Sequence, residues 1–312
     1  MKNHIKNFIK RHENLDHYAK VVYFNIFKNF TGFIDDISFL KIQYRLRTGT
    51  TLNLDKPTLY NEKIQWLKLN YKSDLLTQCV DKWAVRDYVK SKGLKHILIR
   101  AYGPFESLDN IDKSILPNQF IIKLTNGSGF NLICFDKNKF DFDMADRKFK
   151  KWKKINFYAS RREWAYKNVK NRIMIEDLIS GEDHSLPPDF RFFCFHGEVK
   201  FIAVDLNSVE NGVKTSNYYR HLYSPQWRPI EARINYPKKP NFEVSKPDNL
   251  QDLIAIAERL SHDFPAVRID LYNTDNGIRF GEITFYHASG YQNISPPSFH
   301  REIGSYLDLE KI

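Results

Sequence analysis

Two strand–turn–strand stretches in the second half of the chain constrain its fold more than any other feature. Asp189-Phe190-Arg191-Phe192-Phe193-Cys194-Phe195, a His196-Gly197 turn and Glu198-Val199-Lys200-Phe201-Ile202-Ala203-Val204-Asp205 read as an antiparallel hairpin. Ala266 to Tyr272 and Ile278 to Phe285 repeat the arrangement, joined by a turn from Asn273 to Gly277. Between the hairpins, residues 249–262 carry the spacing of an amphipathic helix.

The first third reads differently. Residues 1–50 are mainly helical in pattern and end near Thr48-Gly49-Thr50-Thr51. Pro57 marks entry into a helix that Asn61 to Leu67 continues, and a further helix is expected over 79–92, starting at Asp81, whose carboxylate suits orphan N–H groups. Short apolar runs at His96 to Gly103, Gln119 to Leu124 and Asn131 to Phe135 read as strands, the last two flanking the polar loop Thr125-Asn126-Gly127-Ser128-Gly129. Residues 140–170 are basic, aromatic and helical, and Arg172 to Ile179 is a strand. A helical front followed by strand pairs with interspersed helices is an α+β organisation.

With 42% hydrophobic and 15% aromatic residues, the 312-residue chain has the apolar surface an ordered core requires. Its formal charge of +11 raises nucleic acid, an anionic membrane or an acidic substrate as partners. Cys/His finger spacing, an RNA-binding aromatic strand and a basic heptad region are all missing, so no nucleic-acid partner is expected. The run Lys148 to Lys154 is read as a solvated helix face before a polyanion patch. Lys2, Lys6, Lys10 and Arg11, interleaved with Ile5, Phe8 and Ile9, are read first as a helix packed on its own domain and second as peripheral contact with an anionic membrane. No stretch of 18 apolar residues occurs and the N-terminus lacks a signal-peptide pattern, so the expected location is cytoplasmic, with the inner membrane face as the variant. Cys79, Cys134 and Cys194 have neither disulfide nor metal spacing, and Cys194 reads as a buried thiol in a reducing compartment.

Three constellations can carry chemistry. Asp270 and Glu282 fall on the two strands of the last hairpin, near one another in register, and neighbouring carboxylates stay ionised together only with a cation between them. Hard oxygen ligands of this kind suit Mg²⁺ completed by substrate phosphates, while a salt-bridged sheet face remains the alternative. Arg268 shares the face of Asp270 and can meet a phosphate. The loop 125–129 lets backbone N–H groups approach phosphate, with Lys123 beside it, although it has neither a Walker nor a dinucleotide spacing. Glu176-Asp177-Leu178-Ile179-Ser180-Gly181-Glu182-Asp183 is a strand end followed by an acidic turn. His184, His196, His221, His287 and His300 show no metal-ligand pairing, and Ser128 is not in a nucleophile elbow.

Taken in order, these segments resemble the ATP-grasp superfamily and, within it, the TupA-like branch found with teichuronopeptide and surface-polysaccharide synthesis. The resemblance rests on Pro57 to Trp66, Asp81-Lys82 with Arg86, Phe120 to Lys123 with its loop, Ile175-Glu176 with Gly181, Asp189 to Phe192, Arg268-Ile269-Asp270, Gly281 to Phe285 and Ser289-Gly290. It implies two β-rich lobes clamping a nucleotide behind a helical N-terminal region. The corresponding boundaries are residues 1–75 for the helical region and 76–312 for the ATP-grasp-like domain, divided into a first lobe, 76–174, with the phosphate loop and a second, 175–312, with the metal site. It further implies ATP and Mg²⁺ as cofactors. Lys82 and Lys123 would contact phosphates, and Gly127, Ser128 and Gly129 would form the flap over them. Glu176, Asp177 and Leu178 would form the adenine hinge, with Asp183 at the ribose. Asp270 and Glu282 would be the metal ligands. Arg268 would act as the transition-state arginine, with Lys123 beside it as a catalytic group. Many superfamily members carry Asn two residues after the metal Glu, where this chain has Thr284.

The implied activity is ATP-dependent carboxylate–amine ligation: a carboxylate attacks the γ-phosphorus and the acyl phosphate then meets an amine to give an amide. An acidic glycan bearing a uronic-acid carboxylate fits the basic chain as substrate, in capsular or surface-polysaccharide synthesis. Two alternatives stand beside it, a sugar-nucleotide-dependent glycosyltransferase of polysaccharide assembly and a non-catalytic module that binds acidic glycan.

Overall fold

Helix α1 (Asp36–Thr48) starts where the Asp35 carboxylate accepts the Ser38 N–H at 2.9 Å, and ends at Gly49 in the left-handed conformation. The structure is a computed structural model that describes residues 32–179, 187–206, 209–210, 213–214 and 218–312. The basic segment Met1 to Lys20 and the turn containing Asp183 lie outside these residues. Helix α2 (Tyr60–Asn70) is entered through Glu62, whose Oε2 accepts the N–H groups of Thr58 and Leu59 at 3.0 Å each. Helices α3 (Asp74–Val80) and α4 (Val85–Ser91) replace the single helix expected over 79–92. The cause is Asp81: its Oδ1 accepts Trp83 N–H at 2.8 Å and Ala84 N–H at 3.1 Å, which starts a new helix and stops the old one.

Strand β1 (Ala101–Phe105) begins later than expected, because Lys95–Ile97 form a helical turn with Ile97 buried. Strands β2 (Phe120–Leu124) and β3 (Asn131–Cys134) flank the glycine loop. The helical region that follows is two pieces, α5 (Phe142–Trp152) and α6 (Phe157–Arg161), the second capped by the Asn156 side chain. On α5, Ala145, Phe149 and Trp152 are buried while Lys150 and Lys151 are exposed, so the lysine run is a solvated face. Strand β4 (Ile173–Asp177) joins β1, β2 and β3 in an antiparallel sheet ordered β1-β4-β2-β3.

The larger sheet uses β5 (Asp189–Phe195), β6 (Glu198–Leu206), β9 (Tyr219–Tyr223), β11 (Ala266–Thr274) and β12 (Gly277–Thr284), ordered β12-β11-β5-β6-β9 and antiparallel throughout. Between β6 and β9 the short pair β7 (Val209–Glu210) and β8 (Val213–Lys214) branches off. Between β9 and β11 come β10 (Arg233–Ile234) and the amphipathic α7 (Leu250–Ser261). After β12, β13 (Ile294–Ser295) pairs with β10, and α8 (Pro297–Tyr306) closes the chain.

Each sheet has its own core. The smaller packs Phe120, Ile122, Ile175 and Phe130 against Phe149 and Trp152 of α5. The larger packs Phe192, Cys194, Ile202 and Ile269 against α7 and against α2, α3 and α4. Tyr166 packs against both cores and so marks their junction. Cys79, Cys134 and Cys194 are buried free thiols, and burial pushes the Cys194 thiol up to about 12. No described helix is long and apolar enough to cross a membrane.

Candidate active site

The site begins with an irregularity in the last hairpin. Asp270 pairs with Glu282 but Leu271 pairs with Phe280, so Gly281 is an extra residue in β12. In a regular strand, residues 280 and 282 point to the same face. The bulge separates them: Phe280 enters the core beside Leu271, and Glu282 lies beside Asp270. Gly281 is required there, since a Cβ on it would lie 2.9 Å from the Asp270 carbonyl oxygen.

Arg268 occupies the space between the two carboxylates. Its Nε donates to Asp270 Oδ1 at 2.6 Å, and its Nη2 donates to Asp270 Oδ2 at 2.5 Å, Glu282 Oε1 at 2.9 Å and Thr284 Oγ1 at 3.1 Å. The chain itself thus supplies one cation between the two carboxylates. Burial pushes Asp270 up, opposed by Arg268, with Asp189 adding to the rise. Desolvation also works against Glu282, but Arg268, Lys82 and Arg191 hold it below the usual range.

Arg191, directly across β5 from Asp270, extends this network. It contacts Asp189 at 2.5 Å and Asp205 at 2.7 Å and lies 3.9 Å from Asp270. Asp205 is fully buried and also takes a two-pronged pair from Arg220 at 2.6 and 2.7 Å, together with the Tyr218 hydroxyl. The sequence signal for this hub was present in the strand Asp189-Phe190-Arg191, where polar residues two apart share one face of an apolar strand. Sequence reasoning gave it no role.

Lys82 ties down the glycine loop twice: its N–H donates to Thr125 O at 2.9 Å and its Nζ donates to Gly127 O. Desolvation lowers its pKa, and Glu282 is the strongest opposing charge. Lys123 donates to Glu176 Oε2 at 2.5 Å, and Arg86 reaches the other oxygen of Glu176 at 3.3 Å. Asp177 closes β4 with one buried oxygen unpartnered, and the Leu178 N–H donates to Gln119 O at 3.4 Å. Gly127 and Gly129 adopt positive φ, with Ser128 exposed between them. The structure therefore places Arg268, Asp270 and Glu282 together, and Lys82, Lys123 and Glu176 beside the loop. Asp183 lies outside the described residues.

The histidines make structural bonds: the Nε2 atoms of His196, His221 and His300 accept backbone N–H groups of Asp308, Lys239 and Asn61. His287 is buried with Nδ1 unpartnered, and burial, with Arg268 next, holds it neutral, well below its usual value.

Among the described residues no group of three or more His, Cys, Asp or Glu is placed to hold a metal. Two facing carboxylates are present, and Glu282 Oε2 takes no hydrogen bond from the described residues while its side chain is 39% exposed. Glu282 Oε2 is the free oxygen such a set offers to Mg²⁺ completed by substrate phosphates, while both Asp270 oxygens are held by Arg268.

The family described as TupA-like ATPgrasp matches residues 62–308. No curated protein matches. Among solved structures, the chain is similar to the ATP complex of D-alanine–D-alanine ligase from Bacillus anthracis (12% identity, 68% of this chain and 55% of that one, TM-score 0.41). It is similar also to the ATP-grasp ligase PsnB with its minimal precursor (11%, 79% and 67%, 0.42). A third is the ATP complex of carboxyaminoimidazole ribonucleotide synthase from Aspergillus clavatus (10%, 67% and 45%, 0.39). The chain spans about half to two thirds of the length of these structures.

Proposed function

Because the chain belongs to the TupA-like ATP-grasp family, we propose that it is an ATP-dependent carboxylate–amine ligase, working through an acyl phosphate to form an amide. The observation that carries this reading is the opposition of two charge sets across the junction of the sheets. Arg268, Asp270 and Glu282 stand on one side and Lys82, with its loop, on the other.

In this reading ATP lies between the sheets. The phosphates meet the loop 125–129, Lys82 and Lys123, while the end of β4 at Glu176, Asp177 and Leu178 supports the adenine, with Asp183 at the ribose. The Glu176 carboxylate has a positioning role, because its bonds to Lys123 and Arg86 fix the lysine at the mouth of the loop. Asp270 and Glu282 would hold Mg²⁺, which when bound neutralises phosphate charge during transfer. Arg268 is preorganised by four hydrogen bonds and stabilises charge on the transferring phosphoryl group. The buried Ile269 and Leu271 of β11 keep water from the core side of the strand that carries Asp270.

The proposed carboxylate is a uronic acid of a surface or capsular polysaccharide, supported by the net charge of +11 and by the family. A thermal-shift titration tests the reading. Mg·ATP at about 100 times its Kd adds roughly 2.7 kcal/mol. A shift that needs Mg²⁺ and vanishes in Asp270→Asn is the expected result. A shift with a UDP-sugar and none with ATP overturns it.

A further inference from the structure

Helix α1 carries apolar residues on two sides, and only one side is covered. Phe39, Leu40 and Tyr44 are buried in a small core of their own with Leu52. Among the described residues seven large apolar side chains are exposed, and four of them fall between positions 33 and 46: Phe33, Ile37, Ile42 and Leu46. Phe33 is 96% exposed and Leu46 81%. A helix that is apolar all round is ordinarily enclosed, and a concentration of exposed apolar side chains marks a surface that meets something.

The charge on that face selects what covers it. Ile42 and Leu46 are four residues apart and lie one above the other, and Ile37, Lys41 and Arg45 form a second row beside them. Lys41 and Arg45 are both exposed, and neither pairs with a carboxylate among the described residues; Arg45 Nη1 donates to Thr51 Oγ1 at 3.3 Å. The acidic residues at the start of the helix are already engaged. Asp36 is met by Arg162 Nε at 2.8 Å and by the Tyr158 hydroxyl at 2.6 Å, and Asp35 by the Ser38 N–H. The outer face is therefore apolar and positive. A second copy on the same face would set Lys41 and Arg45 against their own counterparts, because a two-fold interface uses one patch twice. Residues 1–31 hold Lys2, Lys6, Lys10, Arg11, Lys20 and Lys28 against Glu13 and Asp16, so they repeat the sign of the face instead of complementing it. An anionic lipid surface answers both features, since it accepts apolar side chains and attracts lysine and arginine.

We infer that the outer face of α1 docks the protein on an anionic membrane surface. Phe33, Ile37, Ile42 and Leu46 enter the boundary between headgroups and acyl chains, and Lys41 and Arg45 meet the headgroup phosphates. The helix lies along the surface and does not cross it. Its inner end is joined to the glycine loop by one intervening helix. Asp36 is bonded to Tyr158 and Arg162 at α6, and Phe157 of α6 lies against Gly127, where a Cβ would come 2.1 Å from its ring. Docking therefore fixes the side of the protein that carries the loop towards the membrane.

The test is flotation of the full chain, without nucleotide, on vesicles of phosphatidylcholine alone and on vesicles with roughly one third phosphatidylglycerol. The expected result is attachment to the anionic vesicles only, weakened about five-fold or more on raising salt from physiological strength to about 0.5 M. Ile42→Ser with Leu46→Ser, and separately Lys41→Gln with Arg45→Gln, each weaken attachment about ten-fold. All four side chains are exposed, so both variants should melt as the parent does. A maleimide on Leu46→Cys reads the face directly, because Cys79, Cys134 and Cys194 are buried. It should label freely in solution and be protected by anionic vesicles. No attachment to the anionic vesicles overturns the inference, as does equal attachment to pure phosphatidylcholine. Undiminished attachment of the Ile42→Ser, Leu46→Ser chain assigns the membrane contact to another part of the protein and overturns it too. Slow labelling of Leu46→Cys without vesicles overturns it as well: in a monomer the chain's own residues cover the face, and in a dimer a second copy does. None of these readings uses ATP, so they are separate from the ligase reading.

Discussion

Arg268 Nη2 lies 2.5 Å from Asp270 Oδ2 and 2.9 Å from Glu282 Oε1, so one guanidinium joins the two carboxylates that face each other across β11 and β12. A rigid planar fork is suited to this because it satisfies both oxygens of one partner and still reaches the second. Asp270→Asn removes the charge and one of the two oxygens that accept from Arg268, while the remaining oxygen and Glu282 keep Arg268 bonded. The expected loss is about 2 kcal/mol of stability, the scale of one charge-assisted hydrogen bond with the remaining charge still compensated, with turnover falling on the order of 100-fold. Urea denaturation and ATP-dependent amide formation measure the two; an unchanged rate refutes the assignment of Asp270.

The glycine loop offers a test by crowding. Gly127 has φ 75°, and a Cβ there would sit 2.1 Å from Phe157 Cζ. Gly127→Ala should therefore cost about 1–2 kcal/mol from backbone strain and displace the loop, weakening ATP several-fold. Adding Phe157→Leu should recover part of the ATP affinity by making room, while the strain remains. Titration of both variants with Mg·ATP checks it; no recovery means that crowding is not the cause.

The two hairpins were legible because period-two alternation and the His196-Gly197 turn specify them locally, and the turn brought Asp270 near Glu282, although its register alone would pair Asp270 with Gly281. The bulge was not legible. Gly281 reads as an ordinary strand glycine until the Asp270 carbonyl is found 2.9 Å from its absent Cβ. Lys68 was hidden for a related reason: a lysine on a helix reads as solvated, yet it is 2% exposed because Ser289 and Arg161, distant in sequence, supply its acceptors. Strand β9 went unread because the long excursion between β6 and β9 separates it from the strand it pairs with.

Gly281→Ala tests whether the bulge sets the site. The new Cβ must push β12 away from the Asp270 carbonyl, and Glu282 moves with it. Expected are a loss of about 1–3 kcal/mol and a weaker Mg²⁺ dependence of ATP binding, with ATP affinity in the absence of metal little changed. Equal loss with and without Mg²⁺ would show a general collapse of the hairpin instead.

Lys68 makes a pH-dependent contribution whose sign is fixed by its burial. Removal from water lowers its pKa from 10.5 to about 7, with Glu163 opposing the fall. Between those values the unfolded chain holds a proton that the folded chain does not, so this group makes stability rise with pH across the window. Below about 7 both states hold the proton and the penalty of a buried charge is fully present and constant. Lys68→Met removes the titration. The stability difference between parent and variant should therefore drift with pH from about 7 to 10.5, approaching about 1.4 kcal/mol per pH unit for one proton, and flatten below 7. The loss of the bonds to Ser289 shifts the whole curve but not its slope. Urea midpoints at pH 6, 7.5 and 9 suffice: parallel curves would mean that Lys68 titrates alike in both states, and that its four acceptors offset the burial.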